Sequence, residues 1–319
     1  MLEHFTSKYQ PKILSDFTIN SELIDIIKTL ADMDNLNLLF IGNSGSGRTS
    51  LIHAIIREYY GEDVSLNNDN ILTINTLKEQ GISYYRTDVK IFCQTSSSVK
   101  NKKKVLLLDD IDIINEQSQQ VFRNCIDKYS NNVIFLASCC NAQKVIESLQ
   151  SRMNVLNIKS PSEEQLKNIA IKIIDSENIS LDEDVLSFIV KVCNGSIRIL
   201  INYLEKFKLL NIHINFELAN RVCTNISFIE LEKYTNLCKK NNLRGALKLI
   251  NSLILKGYSV TDILDSYFTF VKITDILDED KKYKIIPLLC KYIAIFHDIH
   301  EDEIELSFFT NNLITMLNQ

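Results

Sequence analysis

One run constrains this chain more than any other: Leu38-Leu39-Phe40-Ile41-Gly42-Asn43-Ser44-Gly45-Ser46-Gly47-Arg48-Thr49-Ser50. Apolar, β-prone residues lead into three glycines within six positions, and Leu51-Ile52-His53-Ala54-Ile55 continues as a helix. The chain has only 8 Gly in 319 residues, so their clustering marks a backbone with a local need for freedom. A strand, a glycine loop and a helix in that order form a phosphate cradle. Positions without side chains let successive N–H groups converge on oxygens, and the helix N-terminus adds its dipole. The run fits G-x4-G-[K]-[ST] except that Arg48 stands at the lysine position, and Thr49 would offer a hydroxyl to Mg²⁺.

A second run, Val105-Leu106-Leu107-Leu108-Asp109-Asp110-Ile111-Asp112, ends an apolar strand in adjacent carboxylates. At the carboxyl edge of a sheet, the first can hold the Mg²⁺ shell and the next can polarise an attacking water. Asp109 thus takes the metal role and Asp110 the base role. Alone, such a strand end also fits a solvated turn; after a phosphate loop it points to nucleotide chemistry.

Short apolar runs at residues 36–41, 71–74, 105–108, 133–136 and 155–158 alternate with helically spaced segments. This pattern predicts an α/β region with a mainly parallel sheet. Ser160-Pro161-Ser162-Glu163 predicts a helix start with Ser160 as N-cap and Pro161 in the first turn. Helical spacing follows, as in Leu166, Ile169, Ala170 and Ile173, and lapses at residues 224–227. The expected organisation is an α/β domain over 1–159, a small helical domain over 160–224 and an all-helical domain over 225–319. There, Leu249, Ile250, Leu253 and Ile254 are expected to make core or subunit contacts.

A net charge of −5 with 45% hydrophobic and 24% charged residues excludes disordered and collagen-like chains. It argues against nucleic-acid binding by the whole surface but leaves room for a local basic face. Eight cysteines without a C-x-x-C, and five scattered histidines, argue against zinc and for reduced thiols. No run of about 18 apolar residues occurs, and MLEHFTSKYQPK lacks a signal-like apolar stretch, so an intracellular, soluble protein away from membranes is expected.

Further motifs flank the two runs. Phe5-Thr6-Ser7-Lys8-Tyr9-Gln10-Pro11-Lys12 precedes them, and Leu72-Thr73-Ile74-Asn75 is followed by Gly81-Ile82 and Arg86. Gln150-Ser151-Arg152-Met153 and Gly195-Ser196-Ile197-Arg198 come later. In order and spacing these resemble the AAA+ ATPases and, within them, the small subunits of the replication factor C clamp loader. The family patterns are W-x-x-K-Y-R-P-K, L-x-L-N-A-S-D-x-R-G-I-x-x-x-R, D-E-A-D, Q-S-R-C and G-D-x-R. The resemblance implies an AAA+ P-loop domain with a parallel sheet, then a helical lid and an all-helical collar. It implies bound ATP and Mg²⁺, with Tyr9 near the adenine. Gly42, Asn43, Ser44, Gly45, Ser46, Gly47, Arg48, Thr49 and Ser50 would surround the phosphates, and Arg198 would be the lid sensor.

By the same resemblance Arg152 is an arginine finger acting on a neighbouring subunit's nucleotide. The family's sensor Asn falls on Cys140 in an ungapped alignment and on Asn141 after a one-residue shift. Lys78, Arg86 and Lys90 become candidates for DNA-backbone contact. The implied partners are the other subunits of a hetero-pentamer, a sliding clamp and primer-template DNA, at a replication site in nucleus or cytoplasm. The run Lys100-Asn101-Lys102-Lys103-Lys104 reads instead as a solvated loop.

Three departures touch the ATPase machinery. Arg48 replaces a compact ammonium by a planar guanidinium. Asp110 withdraws a glutamate's carboxylate by one methylene, about 1.5 Å. Gln10 replaces an arginine. Retained Mg-nucleotide binding with weak or absent own-site hydrolysis is expected. Two alternatives stand beside that reading: a non-hydrolysing scaffold subunit that donates its finger, and another AAA+ ATPase such as a helicase loader.

Overall fold

In the computed structural model, the described residues are 4–17, 21–33, 35–61, 69–75, 82–223, 226–298 and 302–318. Lys78, Gln80, Gly81 and the start of the expected break at 224–227 lie outside them. Among the described residues the apolar runs become β1 (Leu38–Ile41), β2 (Ile71–Asn75), β3 (Lys104–Asp109), β4 (Val133–Cys139) and β5 (Asn154–Asn157). They form one parallel sheet in the order β2-β3-β4-β1-β5. Helices α1 (Phe5–Lys8), α2 (Ser21–Asp32), α3 (Arg48–Tyr60), α4 (Ile82–Gln94), α5 (Glu116–Tyr129), α6 (Glu147–Gln150) and α7 (Glu163–Glu177) accompany it.

The side-chain period of two decides how the sheet is covered. Leu38 and Phe40 join Ile27, Leu51, Ile52 and Ile55 on one face, and Leu39 joins Tyr85, Phe122 and Phe135 on the other. Both faces of β1 are therefore dry, which explains why its sequence is a continuous apolar run rather than an alternating one. Each such buried side chain contributes about 1.5–3 kcal/mol relative to exposure.

Two local expectations shift. Helix α7 is capped by Ser162, not Ser160: Gln165 N–H donates to Ser162 Oγ (3.2 Å), and Ser162 N–H donates to Gln165 Oε1 (2.9 Å). This reciprocal box satisfies two orphan donors, and Ser160 is left to accept from Asn43 Nδ2 at 3.0 Å. Along the basic run Lys100 and Asn101 are exposed, and Lys102 and Lys103 are half-buried. Lys104 is buried, with its Nζ donating to Thr95 Oγ1 (2.5 Å) and lying 4.5 Å from the Phe92 ring centroid. Lys102 lies over the Tyr59 ring, and Lys103 N–H donates to Tyr59 Oη (2.9 Å). The long stems find apolar and aromatic cover there that a loop reading does not supply.

The chain divides by its contacts into two compact units, Met1–Ser176 with Gly195–Glu205, and Glu177–Asn194 with Lys206–Gln319. The helices that follow α7 are α8 (Glu183–Val192), α9 (Ile197–Leu210), α10 (Phe216–Cys223), α11 (Phe228–Lys239), α12 (Leu243–Leu255), α13 (Val260–Ile273), α14 (Glu279–Asp298) and α15 (Glu303–Leu317). In the second unit, Tyr234, Tyr267, Phe270 and Phe309 are buried with Ile250 and Leu253, and Leu249 and Ile254 pack against that cluster. Its buried hydroxyls are paired: Tyr234 Oη with Thr310 Oγ1 (3.0 Å) and Tyr267 Oη with Thr235 Oγ1 (3.2 Å). All eight cysteines are free, and Cys140 and Cys290 are the exposed ones.

Candidate functional site

Strands β1, β3 and β4 are paired so that their carboxyl ends meet: Ile41 lies opposite Cys139, and Leu108 opposite Ala137. The residues that follow each strand therefore converge, at the edge where open α/β sheets bind ligands. After β1, Gly42 N–H donates to Cys139 O (3.2 Å) and the chain turns through Gly45 (φ 77°) and Gly47 (φ 96°) into α3. Gly45 has a second constraint. Its carbonyl accepts from Ile197 N–H (3.0 Å), and a Cβ there would run into Ser196 Oγ.

Beneath the loop, Thr49 Oγ1 donates to both carboxylate oxygens of Asp109 (3.2 and 3.1 Å), and Ser138 Oγ donates to Asp109 Oδ1 (2.5 Å). Asp110 sits in the left-handed region (φ 52°, ψ 53°), with its N–H held by Ser138 Oγ (3.2 Å). For a non-glycine residue that conformation costs about 1–2 kcal/mol. Arg48 Nη2 donates to Asp110 Oδ1 (3.0 Å) and to Cys140 Sγ (3.1 Å). Cys139 is buried, and that burial, with the nearby Asp112 charge, pushes its thiol up to about 12, so it stays protonated.

Two buried polar atoms of the loop region lack a partner: Ser46 Oγ and Arg48 Nη1. Each such group costs about 1–3 kcal/mol, a cost that anionic oxygens would remove. The residues present thus fit a phosphate-bearing ligand. The hydroxyl and carboxylate of Thr49 and Asp109 are hard oxygen donors of the kind Mg²⁺ takes.

The loop borders a cavity of about 600 Å³. Thr6, Tyr9, Gln10, Pro11, Asp16 and Phe17 line it from the N-terminal segment, Ile169, Lys172 and Ile173 from α7, and Ile197, Arg198, Ile201 and Asn202 from α9. Tyr9 meets Phe5 edge-on at 5.5 Å. An aromatic and aliphatic chamber opening onto a phosphate cradle suits a nucleobase joined to a phosphate chain.

Gln10 Nε2 donates to Ser50 Oγ (3.3 Å) and lies 3.3 Å from His53 Nδ1. Burial, then the Arg57 charge, hold the His53 pKa below its ordinary 6.5, against the opposing pull of Asp109. The folded chain therefore resists a proton that the unfolded chain accepts. Stability should fall as pH drops through 6.5 toward the lowered value, with the His53 contribution to the slope fading within about one pH unit above 6.5. Urea unfolding of His53→Gln against the parent at pH 7.5 and 5.5 checks this: the variant should lose less stability on acidification. An equal loss in both proteins would refute it.

Residues 38–160 match the "ATPase family associated with various cellular activities (AAA)", and residues 229–293 match the "Replication factor C C-terminal domain". A provisionally named replication factor C small subunit of Acanthamoeba polyphaga mimivirus is 30% identical over 283 residues, covering 88% of this chain and 87% of that protein. The chain belongs to the replication factor C small-subunit family. Replication factor C subunit 4 of Schizosaccharomyces pombe is 27% identical, covering 88% of this chain and 82% of its own length. The replication factor C small subunit of Methanococcus maripaludis strain C7 is 28% identical over 89% of this chain and 90% of its own. A solved structure, the Thermotoga maritima RuvB Holliday junction branch migration motor, shares the fold with a TM-score of 0.52 at 16% identity, covering 76% of this chain and 85% of that one.

For a replication factor C small subunit, the placement of the remaining residues is informative. Arg198 lines the cavity, whereas Arg152 does not. Arg152 follows α6, and its Nε donates to Asp127 Oδ1 (2.5 Å) and its Nη1 to Ser148 O (2.7 Å). That contact, with Arg123 nearby, holds the Asp127 carboxyl below the usual carboxylate range. Asn141 is exposed, and its side chain accepts from Gln143 N–H (2.9 Å), whereas its neighbour Cys140 meets Arg48. Arg86 and Lys90 are exposed one turn apart on α4.

Two neighbours of the site were given no role by the sequence reading. Ser138 anchors both Asp109 and the Asp110 N–H, and was visible only as a lone hydroxyl in an apolar strand. Asp112 Oδ2 accepts from the Cys140 and Asn141 N–H groups (3.2 and 3.0 Å), fixing the turn after β4. No helix among the described residues is long and apolar enough to cross a membrane.

Proposed function

We propose that this chain is a small subunit of a sliding-clamp loader in DNA replication, and that it binds ATP but turns it over slowly at its own site. The observation that carries the reading is the phosphate loop with two orphaned buried polar atoms, set beside a Thr49–Asp109 pair and a cavity of about 600 Å³. In this reading the N–H groups of residues 42–50 bind the phosphates, Tyr9 lies beside the adenine, and Arg198 reports the nucleotide to the lid. Thr49 and Asp109 would hold Mg²⁺, which neutralises developing phosphate charge when bound. Arg152 serves the adjoining subunit. Asn141 or Cys140 is the sensor.

The domain reading belongs to the proposal: nucleotide domain 1–159, lid 160–224 and collar 225–319. So do the partners: sister subunits in a hetero-pentamer, a ring-shaped clamp, and primer-template DNA met by Arg86 and Lys90. Lys78 is a third candidate there. Phosphate neutralisation of this kind carries no base specificity. The Arg48–Asp110 ion pair favours a second reading of the same assembly, a scaffold subunit that donates its finger and never hydrolyses.

Co-expression with sister small subunits, followed by sizing and by pull-down with clamp and primer-template DNA, tests the assignment. A pentamer that captures both is expected. A monomer indifferent to clamp and DNA in every mixture, or capture of a hexameric helicase instead, refutes it. Single-turnover ATP hydrolysis then separates slow hydrolase from scaffold.

A further inference from the structure

The two residues that depart from the family pattern at the phosphate loop and the acidic strand are bonded to each other. From that contact we infer that Asp110 and Cys140 are positioning residues for the Arg48 guanidinium. The inference rests on the nucleotide-site reading above and assigns roles within that site.

Arg48 is nearly sealed from solvent, with 6% of its side chain exposed, and Nη2 makes contacts to Asp110 Oδ1 (3.0 Å) and Cys140 Sγ (3.1 Å). Asp110 is itself placed by backbone. It follows the last residue of β3 in a left-handed conformation, with its N–H on Ser138 Oγ, so its carboxylate has a defined direction. Cys140 is placed by Asp112, which accepts its N–H at 3.2 Å. Both groups that meet the guanidinium are thus held independently of it, as positioning groups must be.

The substitutions are complementary in size. Arginine reaches farther and wider than the family's lysine, and aspartate is shorter than the family's glutamate. A guanidinium carries five N–H donors in a rigid plane. It can keep Asp110 on one terminal nitrogen and present the other to an anion, and the other, Nη1, is the buried atom without a partner.

Equilibrium titration of the full chain with a fluorescent, non-hydrolysable ATP analogue and Mg²⁺ decides the matter by sign. Removing a carboxylate's charge near phosphates leaves binding unchanged or tightens it, if that carboxylate is a bystander or a base. If Asp110 positions Arg48, isosteric Asp110→Asn should instead loosen binding about five- to tenfold. In an Arg48→Met background, which fills a similar volume, the same replacement should no longer loosen it. Cys140→Ala should loosen binding about twofold to threefold, and Cys140→Ser, which keeps an acceptor, should restore it. Failure of the parent protein to bind the analogue would overturn the nucleotide-site reading itself. A parent that binds, with Asp110→Asn equal or tighter, would overturn the positioning role alone, as would loosening that persists without Arg48. Equal binding by Cys140→Ala and the parent would remove Cys140 from the assignment.

Discussion

Replacing Arg152 by alanine should slow ATP turnover at the adjoining subunit's site about 10³-fold or more, while nucleotide binding by this chain itself stays unchanged. Arg152 is absent from the lining of this chain's own cavity. Its guanidinium is held on the surface by Asp127 and the Ser148 carbonyl, a third of its side chain exposed. A side chain in that position can leave a solvent-facing ion pair at small cost, since such pairs are worth about 0–1 kcal/mol, and can stabilise a phosphoryl transition state presented by a neighbour. Lysine should not substitute, because a guanidinium fork can meet two phosphate oxygens at once and an ammonium cannot. Site-resolved single-turnover measurements in the assembled loader check this. A loss under threefold at the neighbouring site, or a matching loss of affinity at this chain's own site, would refute the finger assignment.

Gly45→Val should weaken nucleotide binding about 100-fold or more, equivalent to about 3 kcal/mol. Two costs add at this position. A β-branched residue at φ 77° is strained by about 1–3 kcal/mol, and its Cβ would meet Ser196 Oγ, beside the backbone bond from Ile197 N–H to the Gly45 carbonyl. The loop must then move off Ser196 and Arg198, dispersing the N–H groups that would face a phosphate chain. Gly47, by contrast, has φ 96° and open space around it, so Gly47→Ala carries only the conformational cost and should lose less affinity. Titration with the same fluorescent analogue compares the two, with circular dichroism confirming that each folds. Equal losses would show that the contact with Ser196 is irrelevant to the cradle.

Most of the architecture was legible because it is local. The inner strands β1, β3 and β4 were announced by apolar runs because both their faces are covered and no polar alternation is required, whereas the edge strands β2 and β5 keep exposed positions such as Thr73 and Val155. The start of α7 was legible to within two residues. The cap of α7 moved from Ser160 to Ser162 because Gln165 completes the box from that register, a reciprocal geometry that a residue string does not rank. The basic run at residues 100–104 was misread as solvated because its cover comes from Tyr59, Phe92 and Thr95, which a reading of the run in isolation cannot place.

The site divides the same way. The glycine cluster, Thr49 and Asp109 were readable because their chemistry depends on spacing along the chain and on the strand that carries them. The partnership of Arg48 was not. Asp110 lies 62 positions away and Cys140 lies 92, and they meet Arg48 because the order β3-β4-β1 brings three strand ends together. By itself, the sequence determined the phosphate loop, the parallel sheet and the departures at Arg48 and Asp110. Only the tertiary structure decided that those two departures bond to each other, because hydrogen-bond partners across a sheet follow from strand order and register, neither of which is written in any one segment.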